Sequence, residues 1–164
     1  MVVLGATKST MQIVSRTSIA ASKSQVYQLL ANYQRFPEWS PFLVADPQQK
    51  HWVTGQIGEV GSKFHWVGVS EESEGYQEIK SLVVDKSLEM ACTITKPFES
   101  KPTFSYDLSA NGQNTLVTQT FQMPCSLIEK WMLQIFGVQT EIATTNTLGL
   151  SLLKKAVEKT ASLQ

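Results

Sequence analysis

The sequence predicts an α+β fold in which an antiparallel sheet of six to seven strands wraps around a long C-terminal helix. In the middle of the chain, short runs of alternating apolar and polar residues are separated by Gly, Asn, Pro and Ser, which is typical of an antiparallel meander. After Pro124, apolar residues recur every three or four positions, which indicates a long helix. A strand and a short helix precede the meander.

The first two elements have clear boundaries. Residues 11–19, MQIVSRTSI, alternate and are rich in β-branched side chains, which predicts a first strand. Ser22 is placed to cap a short amphipathic helix, because Val26, Leu29 and Leu30 follow it at helical spacing.

The next segment, residues 32–42 (NYQRFPEWSPF), holds two prolines and four aromatic residues. It is too interrupted for a long helix and too apolar for an exposed loop, so we expect it to pack as an aromatic plug. Pro37 is placed to begin a helical turn and Pro41 to end it. Trp39 is expected to pack under the helix with its indole N–H on a backbone carbonyl, and Trp52 is interpreted as a second wedge.

The meander contains seven candidate strands, the first two being the weakest: residues 43–46, 51–54, 63–69, 76–84, 88–96, 101–109 and 115–123. Residues 110–112, Ala-Asn-Gly, are a strong turn signal between the last two. Clean alternation over residues 88–95 and 103–108 predicts that one face of the sheet is apolar. Gln119 interrupts that face in the last strand, which indicates a polar group pointing inward.

The C-terminal helix is predicted over residues 126–160, with apolar positions recurring from Leu127 to Leu152. Gly137 and the Thr-rich segment 140–147 lower the helix propensity, so a break or bend is expected near Gly137.

Charge and composition exclude several functional classes. The 164 residues include 14 basic and 14 acidic side chains, so no strong positive field attracts a nucleic acid. The densest basic cluster, Lys154, Lys155 and Lys159, fits a solvated helix face. No stretch reaches the roughly 18–20 apolar residues of a membrane span, so stable membrane insertion is not expected.

The two cysteines, Cys92 and Cys125, lie in no metal-binding spacing, which argues against a disulfide framework or a zinc site and favours a reducing compartment such as the cytoplasm. Residues 1–10 are interpreted as a flexible leader and residues 11–164 as one domain, since no linker or repeat divides them. A homodimer is left open.

The order of these elements resembles the START-like helix-grip superfamily (SRPBCC), and within it the polyketide cyclase/dehydrase branch. The opening IVSRTSIAASKSQVYQLLANYQRFPEWSPF carries most of the resemblance, above all Trp39-Ser40-Pro41. Further similarity lies in GEVGSKFHWVG, in Lys96-Pro97-Phe98 and in the terminal LGLSLLKKAVE, so that roughly residues 11–159 are covered. Because this superfamily includes both carriers and enzymes, the resemblance implies a fold more strongly than a reaction.

Few ionisable residues are placed for catalysis. His65 and Trp66 are neighbours in a strand and point to opposite faces, so His65 is expected at the surface if Trp66 faces the interior. The acidic hairpin SEESEG, residues 70–75, is interpreted as a solvated turn and not as a cation site. Glu78 is expected on the exposed face of its strand.

The resemblance implies an internal apolar cavity between the sheet and the C-terminal helix. The residues that we predict to line it are Trp66, Tyr76, Met90, Phe104, Tyr106, Gln119, Phe121, Met123, Trp131 and Ile135. The alternative for this set is an ordinary filled core.

These patterns, together with what the resemblance implies, leave three functions open. The first is a binding protein for a small hydrophobic molecule (a lipid, a polyketide or an aromatic compound), oriented by Gln119, Tyr76 or Tyr106, with no cofactor and no catalytic residue. The second is a cyclase or dehydratase that uses an inward Tyr, Glu or His. The third is a protein-interaction module with a filled interior and an exposed apolar patch.

Overall fold

The computed structural model describes residues 8–164, and within them every side chain but those of Lys8, Leu127, Ile128 and Trp131. The strands of this part of the chain are β1 (Lys8–Ile19), β2 (Lys50–Thr54), β3 (Lys63–Val67), β4 (Glu74–Val83), β5 (Ser87–Lys96), β6 (Thr103–Asn111) and β7 (Asn114–Ser126). The helices are α1 (Lys23–Ala31), a 3₁₀ helix (Tyr33–Glu38), α2 (Pro41–Ala45), α3 (Leu127–Ile135) and α4 (Val138–Ala161). None of these helices is long and apolar enough to cross a bilayer.

The strands form one antiparallel sheet in the order β1-β7-β6-β5-β4-β3-β2. From β2 to β7 each strand pairs with the next in sequence, whereas β1 lies beside β7 and Met11 faces Met123 across that pair. The turn from β6 to β7 contains Gly112 with φ of 64°, a left-handed conformation that favours glycine. The predicted α+β meander with a long C-terminal helix is confirmed.

Two boundaries differ from the sequence prediction. Residues 43–46 were expected as a weak strand, but most of them belong to α2. Pro41 is the first residue of that helix, where its fixed φ is favourable and its missing N–H is not needed, so it begins a helix and does not end one. In addition, β1 starts at Lys8, inside the predicted leader, and residues 1–7 lie outside the described part of the chain.

The first helix and the aromatic plug (residues 32–42) close one end of the sheet. Ser22 caps α1 as predicted: its hydroxyl accepts from the Gln25 N–H at 3.2 Å, and the Gln25 side chain accepts from the Ser22 N–H at 2.9 Å. Within the plug, Tyr33, Phe36 and Trp39 are almost completely buried. These rings join the main hydrophobic core beside the buried face of α1.

The C-terminal helix is broken where the sequence predicted it. Gly137 adopts φ of 70° between α3 and α4. In the second half of α4, Leu150, Leu153 and Val157 are buried in the main core. The first half contributes no residue to that core cluster, and its only contacts with a buried apolar cluster are made by Ile142 and the adjoining Ala143, which are partly buried. Helix α4 therefore packs against the core mainly through its C-terminal half.

An ionic clamp fixes that half of α4 to the end of β1. The Lys154 ammonium donates to the Ser18 carbonyl oxygen at 2.8 Å and to the Glu158 carboxylate. The same carboxylate accepts from the Ala20 N–H at 2.9 Å. Because a backbone group of β1 and one just after it are bonded directly, the clamp fixes α4 against the end of β1.

Candidate ligand cavity

A cavity of about 410 Å³ lies between the inner face of the sheet, the first half of α4 and the aromatic plug. Strands β3 to β7 supply its floor. On the α4 side, the lining includes Ile142, Thr145, Asn146 and Gly149. The interior is hollow beside this half of the helix and filled beside the half that carries Leu150, Leu153 and Val157.

Strand alternation decides which side chains face the cavity. On β3, Phe64 and Trp66 share the inner face, and on β6, Phe104 and Tyr106 do so. The other lining residues of the sheet follow the same period of two along their strands: Gln77, Cys92, Ile94, Lys96, Gln119, Phe121 and Met123.

A glycine on β4 makes room for one wall. Gly75 pairs with Trp66 across β3 and β4, and the indole lies directly over it. A Cβ atom at residue 75 would meet the Thr93 carbonyl oxygen and would lie 2.8 Å from Cζ2 of Trp66. The indole N–H donates to the Ser73 hydroxyl at 3.2 Å. The absence of a side chain at Gly75 thus allows Trp66 to lie flat against the sheet.

The plug supplies an aromatic wall. Phe36 and Trp39 pack edge to face with ring centroids 4.7 Å apart, and Trp39 packs edge to face on Tyr106 at 6.1 Å. We expected the Trp39 indole N–H to donate to a backbone carbonyl. Instead, this buried N–H has no hydrogen-bond partner among the described residues, although Trp39 does line the cavity.

The inward polar group predicted on β7 is part of a pair. Gln119 Nε2 donates to the Tyr106 hydroxyl oxygen at 2.9 Å, and both side chains are buried, with 4% and 2% of their surfaces exposed. Gln119 Oε1 is buried without a partner in the described part of the chain. Burial raises the pKa of Tyr106 well above its ordinary value, so the phenol is neutral at physiological pH.

A second polar contact comes from α4. Asn146 is 5% exposed and lines the cavity, and its Nδ2 has no hydrogen-bond partner among residues 8–164. Buried amide groups are normally paired, because removing them from water without a new bond is costly. The cavity thus holds unpaired donor and acceptor atoms on opposite walls, from Asn146 on α4 and Gln119 on β7.

Charged groups of the lining stay at the rim. Lys96 and Glu141 are exposed, and the Lys96 ammonium lies 3.3 Å from a Glu74 carboxylate oxygen. Burial raises the pKa of the Cys92 thiol to about 12, which keeps it protonated. Within the described residues, no cluster of three His, Cys, Asp or Glu side chains could hold a metal ion.

The comparisons with known proteins agree with this architecture. The family model described as polyketide cyclase/dehydrase and lipid transport matches residues 19–141. The chain belongs to this family. The family resemblance predicted from Trp39-Ser40-Pro41 is therefore confirmed. No curated protein sequence matches the chain.

Solved structures extend the family assignment to the fold. Ara h 8.0201 has a TM-score of 0.66 at 10% identity, covering 91% of this chain and 98% of its own. Norcoclaurine synthase from Thalictrum flavum has a TM-score of 0.63 at 12% identity, covering 89% of this chain and 88% of its own. The Aha1 dimer from Colwellia psychrerythraea has a TM-score of 0.63 at 18% identity, covering 90% of this chain and 96% of its own. At these identities, the similarity establishes the helix-grip fold of the family.

Six of the residues predicted for the cavity lie in its lining: Trp66, Phe104, Tyr106, Gln119, Phe121 and Met123. They come from three strands, and they are brought together because the strands are adjacent or curve around the same space.

The remaining predicted residues lie elsewhere. Met90 is on the inner face but fully buried in the packed core, where its sulfur accepts from Gln77 Nε2 at 3.0 Å. Tyr76 lies on the outer face, with its ring 5.6 Å from His65, because β4 points its odd-numbered residues inward. Ile135 is 57% exposed on α3. The side chain of Trp131 lies outside the described part of the structure.

The outer face of the sheet holds the other candidates. His65 is on this face, as expected if Trp66 is inside, and it stacks on Trp52 with ring centroids 5.1 Å apart. Trp52 was expected as a wedge, but it is 48% exposed on an edge strand. The Glu78 carboxylate also points outward and lies 2.9 Å from the Lys80 ammonium.

Several residues that line the cavity were not predicted from the sequence. Gln77 could have been found from its parity with Ile79, which is fully buried. Asn146 could have been found because it precedes Leu150 by one helical turn and therefore shares its inward face. Cys92 lay on the predicted apolar face but was considered only for disulfide formation and metal binding. The plug residues Phe36 and Trp39 were predicted as packing residues and not as a cavity wall.

Proposed function

We propose that the protein binds a small hydrophobic molecule, such as a lipid, a polyketide or an aromatic compound, in the cavity between the sheet and α4. The main support is a space of about 410 Å³ enclosed mostly by aromatic and aliphatic side chains. Pockets of roughly 300–1,000 Å³ that are largely apolar, with a few convergent polar groups, are usual for small-molecule binding.

The family supports the same proposal. Its description joins polyketide cyclisation and dehydration with lipid transport, and each of these requires a site for an apolar molecule. An interaction module would need a filled interior, so the open cavity counts against that alternative.

Binding is favoured over catalysis by the state of the buried groups. General acid–base chemistry needs a group whose pKa lies near the working pH. The Tyr106 phenol and the Cys92 thiol have raised pKa values and remain neutral, and the charged lining residues Lys96 and Glu141 are exposed at the rim. Among the described side chains, therefore, no paired acid and base in the interior supports the cyclase or dehydratase alternative.

We further propose a cytoplasmic location, with residues 11–164 acting as one domain. The support is that Cys92 and Cys125 are both free thiols, which a reducing compartment preserves.

The first test is native mass spectrometry of the purified protein. We expect a mass increment from a retained apolar compound, released on denaturation, and the same spectrum distinguishes monomer from homodimer. The second test is titration with the neutral dye Nile red, whose fluorescence rises in an apolar site. We expect saturable binding of one dye molecule per chain.

A matched pair of variants locates the dye. Thr145 lines the cavity and Thr144 is exposed, yet each hydroxyl bonds the carbonyl oxygen four residues earlier, at 3.0 and 2.9 Å. Thr145→Phe places a ring in the cavity, and Thr144→Phe makes the same change on the outer face of α4. We expect Thr145→Phe to weaken Nile red binding at least about tenfold and Thr144→Phe to leave it unchanged. Equal binding by both variants, or no dye binding by the native chain, would contradict the proposal.

A further inference from the structure

Resting on the proposed function, we infer that the ligand is an uncharged molecule with a hydroxyl group, which is held between Gln119 and Tyr106. Polar atoms on the cavity wall have hydrogen-bonding capacity that the described residues leave unused. These atoms favour phenols and alcohols over other apolar compounds.

The Gln119–Tyr106 pair presents an unused acceptor and unused donors side by side. Because the Tyr106 oxygen accepts from Gln119 Nε2, the phenol proton is free, and it has no acceptor among the described residues. Gln119 Oε1 is buried and unpaired in the same part of the chain. Gln119 Nε2 keeps a second N–H, and turning the amide over exchanges the roles of the two groups but again leaves both donor and acceptor capacity. A hydroxyl group, which both donates and accepts, can bond the Tyr106 phenol and the Gln119 amide at the same time.

Two more buried donors suit a second oxygen on the ligand. Asn146 Nδ2 and Trp39 Nε1 have no partner among residues 8–164, and both residues line the cavity. These atoms can only donate, so they complement a lone pair such as that of a ketone or an ether. The ligand that fits the full set is an apolar skeleton with a hydroxyl at one wall and an acceptor oxygen facing α4.

The same lining excludes a charged ligand. The buried polar residues of the lining are amides, the Ser40 hydroxyl, a phenol, an indole and a thiol, and none of them carries a charge. The exposed Lys96 ammonium already faces Glu74, so a carboxylate deep in the cavity would lose its hydration without gaining a counter-charge. An ionised fatty acid is therefore a poor ligand if its carboxylate enters first.

Three naphthalenes of similar size test the inference by isothermal titration calorimetry at pH 7: 2-naphthol, 2-methylnaphthalene and 2-naphthoate. In a purely apolar pocket, the methyl compound binds best because the hydroxyl must lose its water. If the hydroxyl gains two hydrogen bonds, we expect 2-naphthol to bind at least about fivefold more tightly than 2-methylnaphthalene. We expect 2-naphthoate to bind roughly a hundredfold more weakly than 2-naphthol.

Variants of the pair provide the second arm. Gln119→Met keeps the side-chain length and removes both polar atoms of the amide, and the double variant with Tyr106→Phe removes every polar atom of the pair. We expect the preference for 2-naphthol to fall in the single variant and to reverse in the double variant. Gln122→Met, an exposed position on the same strand, is the control and should keep the native preference. Circular dichroism establishes that each variant is folded.

The outcomes separate the two proposals. Binding of 2-methylnaphthalene as tight as that of 2-naphthol would overturn the hydroxyl inference and leave the binding function intact. An unchanged preference in the folded double variant would also overturn it. If neither Nile red nor any naphthalene binds, the proposed function itself is contradicted.

Discussion

The Cys92 thiol offers a quantitative test of burial at the cavity wall. Burial raises its pKa from 9.0 to about 12. At pH 8, this shift lowers the thiolate fraction about a thousandfold. A thiolate of higher pKa is intrinsically more nucleophilic, and a Brønsted coefficient of about 0.4–0.5 recovers roughly twentyfold. Exchange with a disulfide should therefore be about fiftyfold slower than for the same thiol in the unfolded chain, before hindered access is counted.

The assay uses a Cys125→Ser variant, which leaves Cys92 as the only thiol. Its reaction with 4,4′-dithiodipyridine is followed by absorbance in buffer and in urea at the same pH. We expect the rate in buffer to rise about tenfold per pH unit between pH 7 and 9, because the thiolate remains a minor species below its pKa. Saturating Nile red should slow it further, since Cys92 lines the cavity. A rate in buffer within about threefold of the rate in urea would refute the reasoning.

Three substitutions probe other features. Gly149→Ala should increase the free energy of unfolding by about 0.5–1 kcal/mol and raise the melting temperature. The new methyl would lie 3.5 Å from the Pro41 ring, and alanine makes the helix interior less flexible. A lower melting temperature would contradict this. Gly75→Ala should lower the free energy of unfolding in urea by about 1–3 kcal/mol and alter tryptophan fluorescence, because the new Cβ has no room. Unchanged stability would show that Trp66 and the neighbouring strand move to accommodate it. The ionic clamp lowers the pKa of Glu158, chiefly through Lys154. The clamp therefore stabilises the fold fully above the pKa that Glu158 has in the unfolded chain, near 4.5, and this stabilisation is lost as the pH falls through the lower pKa of the folded state. Glu158→Gln should therefore cost about 1 kcal/mol at pH 7 and almost nothing at pH 3, whereas an equal cost at both pH values would rule out a charge effect.

The sheet and its hairpins could be predicted because local signals agreed with the tertiary structure. In β5 and β6 the apolar residues alternate without interruption, so the inner face followed directly from the sequence. Ser22 marked a helix start through its capping hydroxyl, and Gly137 marked a break through a left-handed conformation that other residues adopt less easily.

The cavity wall was harder to predict because side-chain type and strand parity disagreed. On β4 the aromatic residue Tyr76 suggested an inward position, but Gly75, Gln77 and Ile79 are the buried ones. Pairing with β3 and β5 sets the parity of this strand, and that pairing is not visible in its own residues. Likewise, no local pattern distinguishes Met90, in the packed core, from Phe104, which lines the cavity. The difference depends on which half of α4 packs over each residue.

The pairing of β1 with β7 has a consequence for how the protein is made. During synthesis, β2 to β6 can pair as successive hairpins while they leave the ribosome. Strand β1 cannot, because its hydrogen-bonding partner is the last strand translated. We therefore expect a nascent chain stalled before residue 114 to expose the apolar side of β1 and to engage chaperones, and we expect β1 docking to limit the rate of refolding.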